Sequence, residues 1–127
     1  MRRPHLQLVL ANPDEIPGDL VVEPAREAGF REPRTLLVPA PKWAVKGGSE
    51  LDLANAYRFA LAGATEREVR SLVLAGSLTR GPWPVDDVVR VGMTVLMSTP
   101  TSVREAVIAA PTPALLEAWA EALLREP

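Results

Sequence analysis

Seven consecutive residues carry the most chemistry in this chain: Ser77-Leu78-Thr79-Arg80-Gly81-Pro82-Trp83. Two hydroxyls alternate with an apolar side chain, a planar cation follows, and Gly76 and Gly81 let a backbone come close to a ligand. The run lies between an apolar pentad, Ser71 to Ala75, and a segment whose first turn carries Asp86 and Asp87. A strand's carboxyl end feeding a helix N-terminus is where backbone N–H groups and the helix dipole favour an anion. Ser77, Thr79, Arg80, Gly81 and Trp83 are therefore the candidate ligand-binding residues, suited to a phosphate or diphosphate, with Arg80 able to pair bidentately. The plainer alternative stays open: glycine and proline make a turn, Arg80 faces water, and Trp83 packs as a lid on the core.

Other chemistries find little material. The chain has no cysteine and one histidine, His5, near its N-terminus. Disulfides, thiolate metal sites and a cysteine nucleophile are excluded, and neither a Ser-His-Asp triad nor a His-rich zinc site has its parts. Asp14, Glu15 and Asp19 do not fall at a metal-ligand spacing. No metal and no cofactor is implied. Asp86, Asp87 and Glu23 are the only acids or bases to be named near the loop, and no catalytic residue is assigned.

At 127 residues, 47% hydrophobic and 24% charged, the composition suits one soluble domain large enough to bury a core. A formal net charge of −2 with scattered arginines gives no footprint for nucleic acid. Met1-Arg2-Arg3 precedes only the short apolar run Leu6 to Leu10, too short for a signal peptide or a membrane span. A cytoplasmic protein is expected, with no membrane partner. Thirteen prolines and no cysteine would also suit a thermophile.

The elements that must hold the loop alternate. Leu6 to Leu10 reads as a strand, with turns at Asn12-Pro13-Asp14 and Pro17-Gly18, and Asp19 to Val22 as a second strand. Ala25 to Phe30 fits one or two helical turns closed by Gly29, or a loop. Thr35 to Val38 is a buried-type strand ended by Pro39 and Pro41. After Gly47-Gly48, the run Ser49-Glu50-Leu51-Asp52 resembles a capping box, and Leu53, Tyr57, Ala60, Leu61 and Ala64 form a helical stripe. Thr65 to Glu68 extends this helix or opens another turn. Ser71 to Ala75 is the central strand. Pro84 to Met97 is rich in β-branched residues, yet Val85, Val88, Val89, Gly92, Met93 and Leu96 share one helical face. Helix is the reading, with Gly92 costing about 1 kcal/mol against alanine. Val103 to Ala109 is a strand, and Thr112-Pro113 caps a last helix whose buried stripe is Leu116, Trp119, Ala120 and Leu123. Strands followed by helices predict a single α/β domain over residues 1–127, a three-layer α/β/α sandwich on a mixed, largely parallel sheet.

About two thirds of this pattern resembles the macro domains, the ADP-ribose-binding modules. That family has a strand of the type V-I-H-x-V-G-P-x-W, a Gly-rich spacer and a helix with L-L-x-x-x-Y-x-x-x-L. Leu36 to Trp43, Gly47-Gly48, and Leu53, Tyr57 and Leu61 are similar in order. The family's S-T-G-[IV]-[FY]-G-Y-P loop is matched in spacing by Ser77 to Pro84, with Leu78-Thr79 at its Thr-Gly and Arg80 at a small aliphatic position. Upstream, the family's D-A-[IL]-V-N-[AP]-A-N is echoed by Asp19 to Arg26, where Glu23 and Arg26 replace two asparagines that help hold the distal ribose. The family's G-G-G-V-x-x-A-I loop has no counterpart. The resemblance thus implies a shortened, divergent macro-like domain keeping one wall of the pocket. Three functions stay open: a module binding ADP-ribose or another phosphorylated small molecule; a non-catalytic structural or interaction protein with a closed pocket, covering exposed surface by self-association as a homo-oligomer; and a hydrolase of an ADP-ribose conjugate.

Overall fold

In the computed structural model, residues 3–25, 27–32, 34–41, 49–80 and 83–126 are described. The elements are β1 (His5–Leu10), a 3₁₀ turn (Pro13–Glu15), β2 (Leu20–Ala25), β3 (Gly29–Glu32), β4 (Thr35–Pro39), α1 (Ser49–Glu66), β5 (Ser71–Ala75), α2 (Val85–Ser98), β6 (Glu105–Ala110) and α3 (Pro113–Arg125). One six-stranded sheet runs β1-β6-β5-β2-β4-β3. Every pairing in it is parallel except β3 with β4. The mixed, largely parallel α/β class expected from the sequence is what forms.

The period of two along each strand sorts the sheet into two faces. Leu20, Val22, Leu36, Val38, Leu72, Leu74, Ala106 and Ile108 join α1, α2 and α3 in one large core. Val21, Val73 and Ala109 form a small cluster on the other face, with Ile16 and Val107 packed against it. The layers are accordingly unequal. All three helices feed the large core, while among the described residues the opposite face is covered by the segment 11–19. Crossing from β1 past β6 and β5 to β2 takes roughly 14 Å sideways and about 17 Å back along the strands. The net span is about 22 Å, so the segment's full extension of ~30 Å leaves room for the single 3₁₀ turn at Pro13–Glu15 but not for an α-helix. Gly18 lies on Val73, where a Cβ would come within 2.7 Å of Val73 Cγ2. Arg34 holds the segment down, donating to the carbonyls of Gly18 (2.9 Å) and Ile16 (3.3 Å).

Several expectations need correction. Ala25 to Phe30 forms no helical turn: β2 continues to Ala25, and after the bend at Glu27 the chain returns as the antiparallel edge strand β3. Proline inside β2 is tolerated for a definite reason. Val21 N–H and the Ala25 carbonyl both bond toward the β4 side, to Arg34 and Ala40, so the alternate residue Pro24 points toward β5. The β5 pairing has already ended at Val22, and the missing N–H deprives no partner. β6 begins at Glu105 rather than Val103. On α2, Val85 is exposed while Val91 and Val95 are buried, because the helix is flanked by both α1 and α3 and needs a wide apolar arc. On α3 the fully buried positions are Leu115 and Trp119, with Leu116, Ala120 and Leu123 half-buried.

The stripe Leu53, Tyr57, Ala60, Leu61 and Ala64 on α1 is buried as expected. The capping-box expectation at Ser49 depends on residues outside those described. The C-terminus of α1 closes with Val69 N–H on the Ala64 carbonyl (3.1 Å) and Glu68 N–H on Thr65 (3.0 Å). This is a Schellman pattern with Glu68 at φ 58°, a position that favours glycine. Glu68→Gly is therefore expected to stabilise the fold by about 0.5–1 kcal/mol. A urea melt of the variant showing no gain would contradict this.

Candidate functional site

The sheet's carboxyl ends set the place. From β2 the chain moves on to β4 on one side, whereas from β5 it moves on to β6 on the other. β2 and β5 are thus the neighbours at the topological switch point, outside which α/β sheets form a ligand crevice. A pocket of ≈ 450 Å³ opens there, lined by Pro13, Glu23, Pro24, Ala25, Leu37 and Ala75. Pro13 comes from the 3₁₀ turn, which Glu15 braces by accepting from the Asn12 side chain (2.9 Å) and backbone (3.2 Å).

The loop leaving β5 forms the adjoining rim. Gly76 fixes its start, because a Cβ there would lie 3.0 Å from the Ala109 carbonyl and 3.1 Å from Ala110 Cα. Gly76 donates to Ala109 (2.8 Å) and accepts from Trp119 Nε1 (2.8 Å), so strand and α3 grip both of its backbone groups. Beyond it the side chains alternate. Leu78 is buried, while Ser77, Thr79 and Arg80 are half-buried at the surface. The Ser77 and Thr79 hydroxyls hydrogen-bond to each other. Arg80 crosses to the loop after β4, its backbone N–H donating to Pro41 (3.1 Å) and Nε to Ala40 (3.3 Å). The structure therefore brings Ser77, Thr79 and Arg80 together on one rim.

Trp83 is placed differently from a stacking residue. It is 8% exposed, and its Nε1 donates to the Pro41 carbonyl at 2.9 Å. It packs as a lid that locks the loops after β4 and β5 together. Gly81 lies outside the described residues, as do Trp43 and Arg26. At the start of α2 the N-cap residue is Pro84, which provides no side-chain cap. His5 is exposed on β1, an edge strand of the sheet.

The three carboxylates named from sequence separate. Asp87 is ion-paired with Arg90 at 3.3 Å, and Arg90 also binds Glu50 of α1. The Glu50 contact, more than Asp87, raises the Arg90 pKa further above its usual value. Asp86 lines a ≈ 360 Å³ groove between α2 and α3, on the helical side. Only Glu23 lines the pocket at the strand ends. Sequence reasoning underrated it because a lone Glu in an apolar strand carries no spacing signal; its pairing with Leu37 and its place with Ala75 in the pocket lining become visible only in the sheet. Among the described residues, no group of three or more His, Cys, Asp or Glu could hold a metal ion, and no helix is long and apolar enough to cross a membrane.

Beneath the loop, Tyr57 is fully buried, and among the described residues its hydroxyl reaches no hydrogen-bond partner in acceptable geometry. Burial pushes its pKa up, against a smaller opposing influence of the Leu78 backbone. A buried hydroxyl without a partner costs stability. Tyr57→Phe should consequently be neutral or stabilising by up to about 1–2 kcal/mol, read as a raised Tm. A clear loss of stability would reveal a hydrogen bond that the geometry does not show.

Solved structures of this shape exist. The chain is similar to the Oceanobacillus iheyensis macrodomain with ADP, at 14% identity and TM-score 0.80, covering 94% of this chain and 90% of that one. The macro domain of ganglioside induced differentiation associated protein 2 gives TM-score 0.81 at 11% identity, covering 94% and 83%. The Trypanosoma brucei macrodomain in complex with ADP gives 0.75 at 12%, covering 94% and 69%. No protein-family model matches the chain, and no curated protein does. The fold is that of a macro domain.

Proposed function

We propose that this macro-fold chain is a binding module for a nucleotide or related phosphorylated small molecule of the ADP-ribose type. The phosphate would sit at the rim formed by Ser77, Thr79 and Arg80, with Gly81 completing the loop and Trp83 holding it from beneath. One observation carries the reading: the pocket of ≈ 450 Å³ at the β2/β5 switch point includes in its lining Ala75, the last residue of β5 before that loop. The O. iheyensis and T. brucei macrodomains, solved with ADP, lend it further support. Binding rather than turnover is the activity proposed, since Asp86 and Asp87 both line or pair on the helical side.

Thermal shift with ADP-ribose, ADP and inorganic phosphate tests this directly. A ligand at about 100 times its Kd adds roughly 2.7 kcal/mol to stability. Arg80→Ala is expected to weaken binding at least ~10-fold, since a charge-assisted pair is worth about 1.5–3 kcal/mol. Equal shifts in wild type and Arg80→Ala, or none with any ligand, would remove the proposal.

A second reading has its own observation. Ser77 and Thr79 bond to each other, and Arg80 Nε is engaged by Ala40, so the loop satisfies part of its polarity without a ligand. Leu10, at the end of the edge strand β1, is 53% exposed. An interaction protein that self-associates through this edge would account for both. Light scattering showing a monomer at high concentration would defeat it.

A further inference from the structure

Two buried polar groups stand unpaired beneath the rim loop. The Tyr57 hydroxyl is enclosed and has no hydrogen-bond partner among the described residues. Leu78, in the middle of the loop, is 0% exposed, and its N–H takes no part in the backbone bonds that Gly76 and Arg80 make on either side. The two groups are near each other: the Leu78 backbone acts on the phenol as a donor would, lowering its pKa against the larger effect of burial. A phenol oxygen accepts and an amide N–H donates, so each is the partner the other lacks. Leaving both unmade is costly, and buried N–H groups without partners are rare.

The ring is not free to close the gap. Trp119 meets it edge-on at 6.4 Å between centroids, and Gly92 lies so near that a Cβ would stand 3.1 Å from the Tyr57 oxygen. The loop has more freedom. Its ends are pinned, Gly76 by Ala109 and Trp119 and Arg80 by Pro41, but between them the Ser77 and Thr79 side chains hold only each other. The Leu78 N–H belongs to the peptide unit that starts at Ser77, so whatever reorients Ser77 also re-aims that N–H. An anion on the loop has this effect. Each hydroxyl carries one proton, so both can donate to the anion only by giving up their bond to each other.

We infer that Tyr57 is a positioning residue for the anion site: seating a phosphate on Ser77 and Thr79 turns the Leu78 N–H onto the Tyr57 oxygen, and this buried hydrogen bond, absent from the empty loop, holds the occupied one. The inference rests on the anion site proposed at Ser77, Thr79 and Arg80. Tyr57 itself touches no ligand. Its unpaired hydroxyl disfavours the empty loop and its paired one favours the occupied loop, which couples a core side chain to binding.

Tyr57 is the only tyrosine in the chain, so its hydroxyl can be followed alone. With tyrosine labelled at ¹³Cζ, the full chain gives a single resonance that reads hydrogen bonding at the phenol oxygen. Titration to saturation with inorganic phosphate or ADP-ribose is expected to shift it, and exchange of the Leu78 amide with solvent should slow over the same concentrations. Calorimetry supplies a second reading. Tyr57→Phe should weaken both ligands about 5-fold, the factor of one net hydrogen bond, while its ligand-free Tm equals or exceeds that of wild type. A tyrosine that served packing alone would change stability and leave affinity as it was. A Tyr57 resonance unmoved at saturation, or affinity undiminished in Tyr57→Phe, would overturn the inference and leave the anion site standing. Failure of both ligands to bind wild type would remove both.

Discussion

Trp119→Ala is expected to destabilise the protein by about 3–5 kcal/mol, the range for emptying a large aromatic from a core. In a domain of this size that lowers Tm by roughly 10–20 °C. Trp119 is fully buried, meets Tyr57 edge-on with ring centroids 6.4 Å apart, and donates Nε1 to Gly76 at 2.8 Å. The last contact links stability to the candidate site, since Gly76 is where the rim loop leaves β5. Trp119→Phe isolates that contact. It keeps most of the ring packing but leaves the Gly76 carbonyl without its donor, a loss of about 1–3 kcal/mol. Phosphate affinity should fall with it, because the loop start is then held from the β6 side alone. A Phe variant as stable as wild type, with undiminished ligand affinity, would show that the indole does not anchor the loop.

Gly92→Ala has a sign that helix propensity gets wrong. In an exposed helix interior this change gains about 1 kcal/mol. Here a Cβ would stand 2.8 Å from Trp119 Cη2 and 2.9 Å from Tyr57 Cζ. Neither ring can fold away as a flexible chain end could, since both are enclosed by the core. Overpacking of this kind costs about 1–3 kcal/mol. At such short distances, against two rigid rings, the upper end applies, leaving a net loss of about 2 kcal/mol. Chemical denaturation reads the sign directly: a stabilised Gly92→Ala would mean that α2 can move away from α1 and α3. Gly63 makes a useful contrast, as its Cβ would meet only Leu36 Cδ2 at 2.5 Å, the end of a mobile side chain.

These two positions show how far the sequence could be read. The heptad-like stripe on α1 and the Thr112-Pro113 start of α3 were legible because periodicity and capping are local. Thr112 Oγ1 indeed accepts from Leu115 N–H at 3.3 Å. β5 was legible as well, its apolar pentad bounded by Arg70 and Gly76. Residues 24–32 were not. Pro24 and Gly29 read as breakers, and only the sheet shows that Pro24 projects past the end of its β5 pairing while Gly29, at φ 157°, opens an edge strand. On α3 the expected stripe holds at Trp119, with Leu116 and Leu123 packed against the core, but it missed Leu115 for a related reason. Which flank of an apolar helix turns inward depends on the neighbour it meets, here Gly76 and the end of β6.

The candidate site divides along the same line. Ser77, Thr79 and Arg80 could be named from residue type and from their place between a strand and a helix, and the fold gathers them on one rim. Trp83 could not be judged without knowing that Pro41, distant in sequence, takes its indole N–H. Glu23 was named only as an acid near the loop and as a replaced family asparagine; its place in the pocket lining came from the sheet.

What the sequence determined by itself was the alternation of strands and helices, and with it an α/β fold on a largely parallel sheet, because hydrophobic period, caps and turn residues act over a few positions; the likeness to macro domains rested on the motif resemblance. The tertiary structure alone decided that all three helices enter the same large core, that β2 and β5 meet at the switch point, and that Glu23 lines the pocket beside Arg80's loop. Those facts arise from pairing strands far apart in sequence, where register rather than residue type determines which side chains become neighbours.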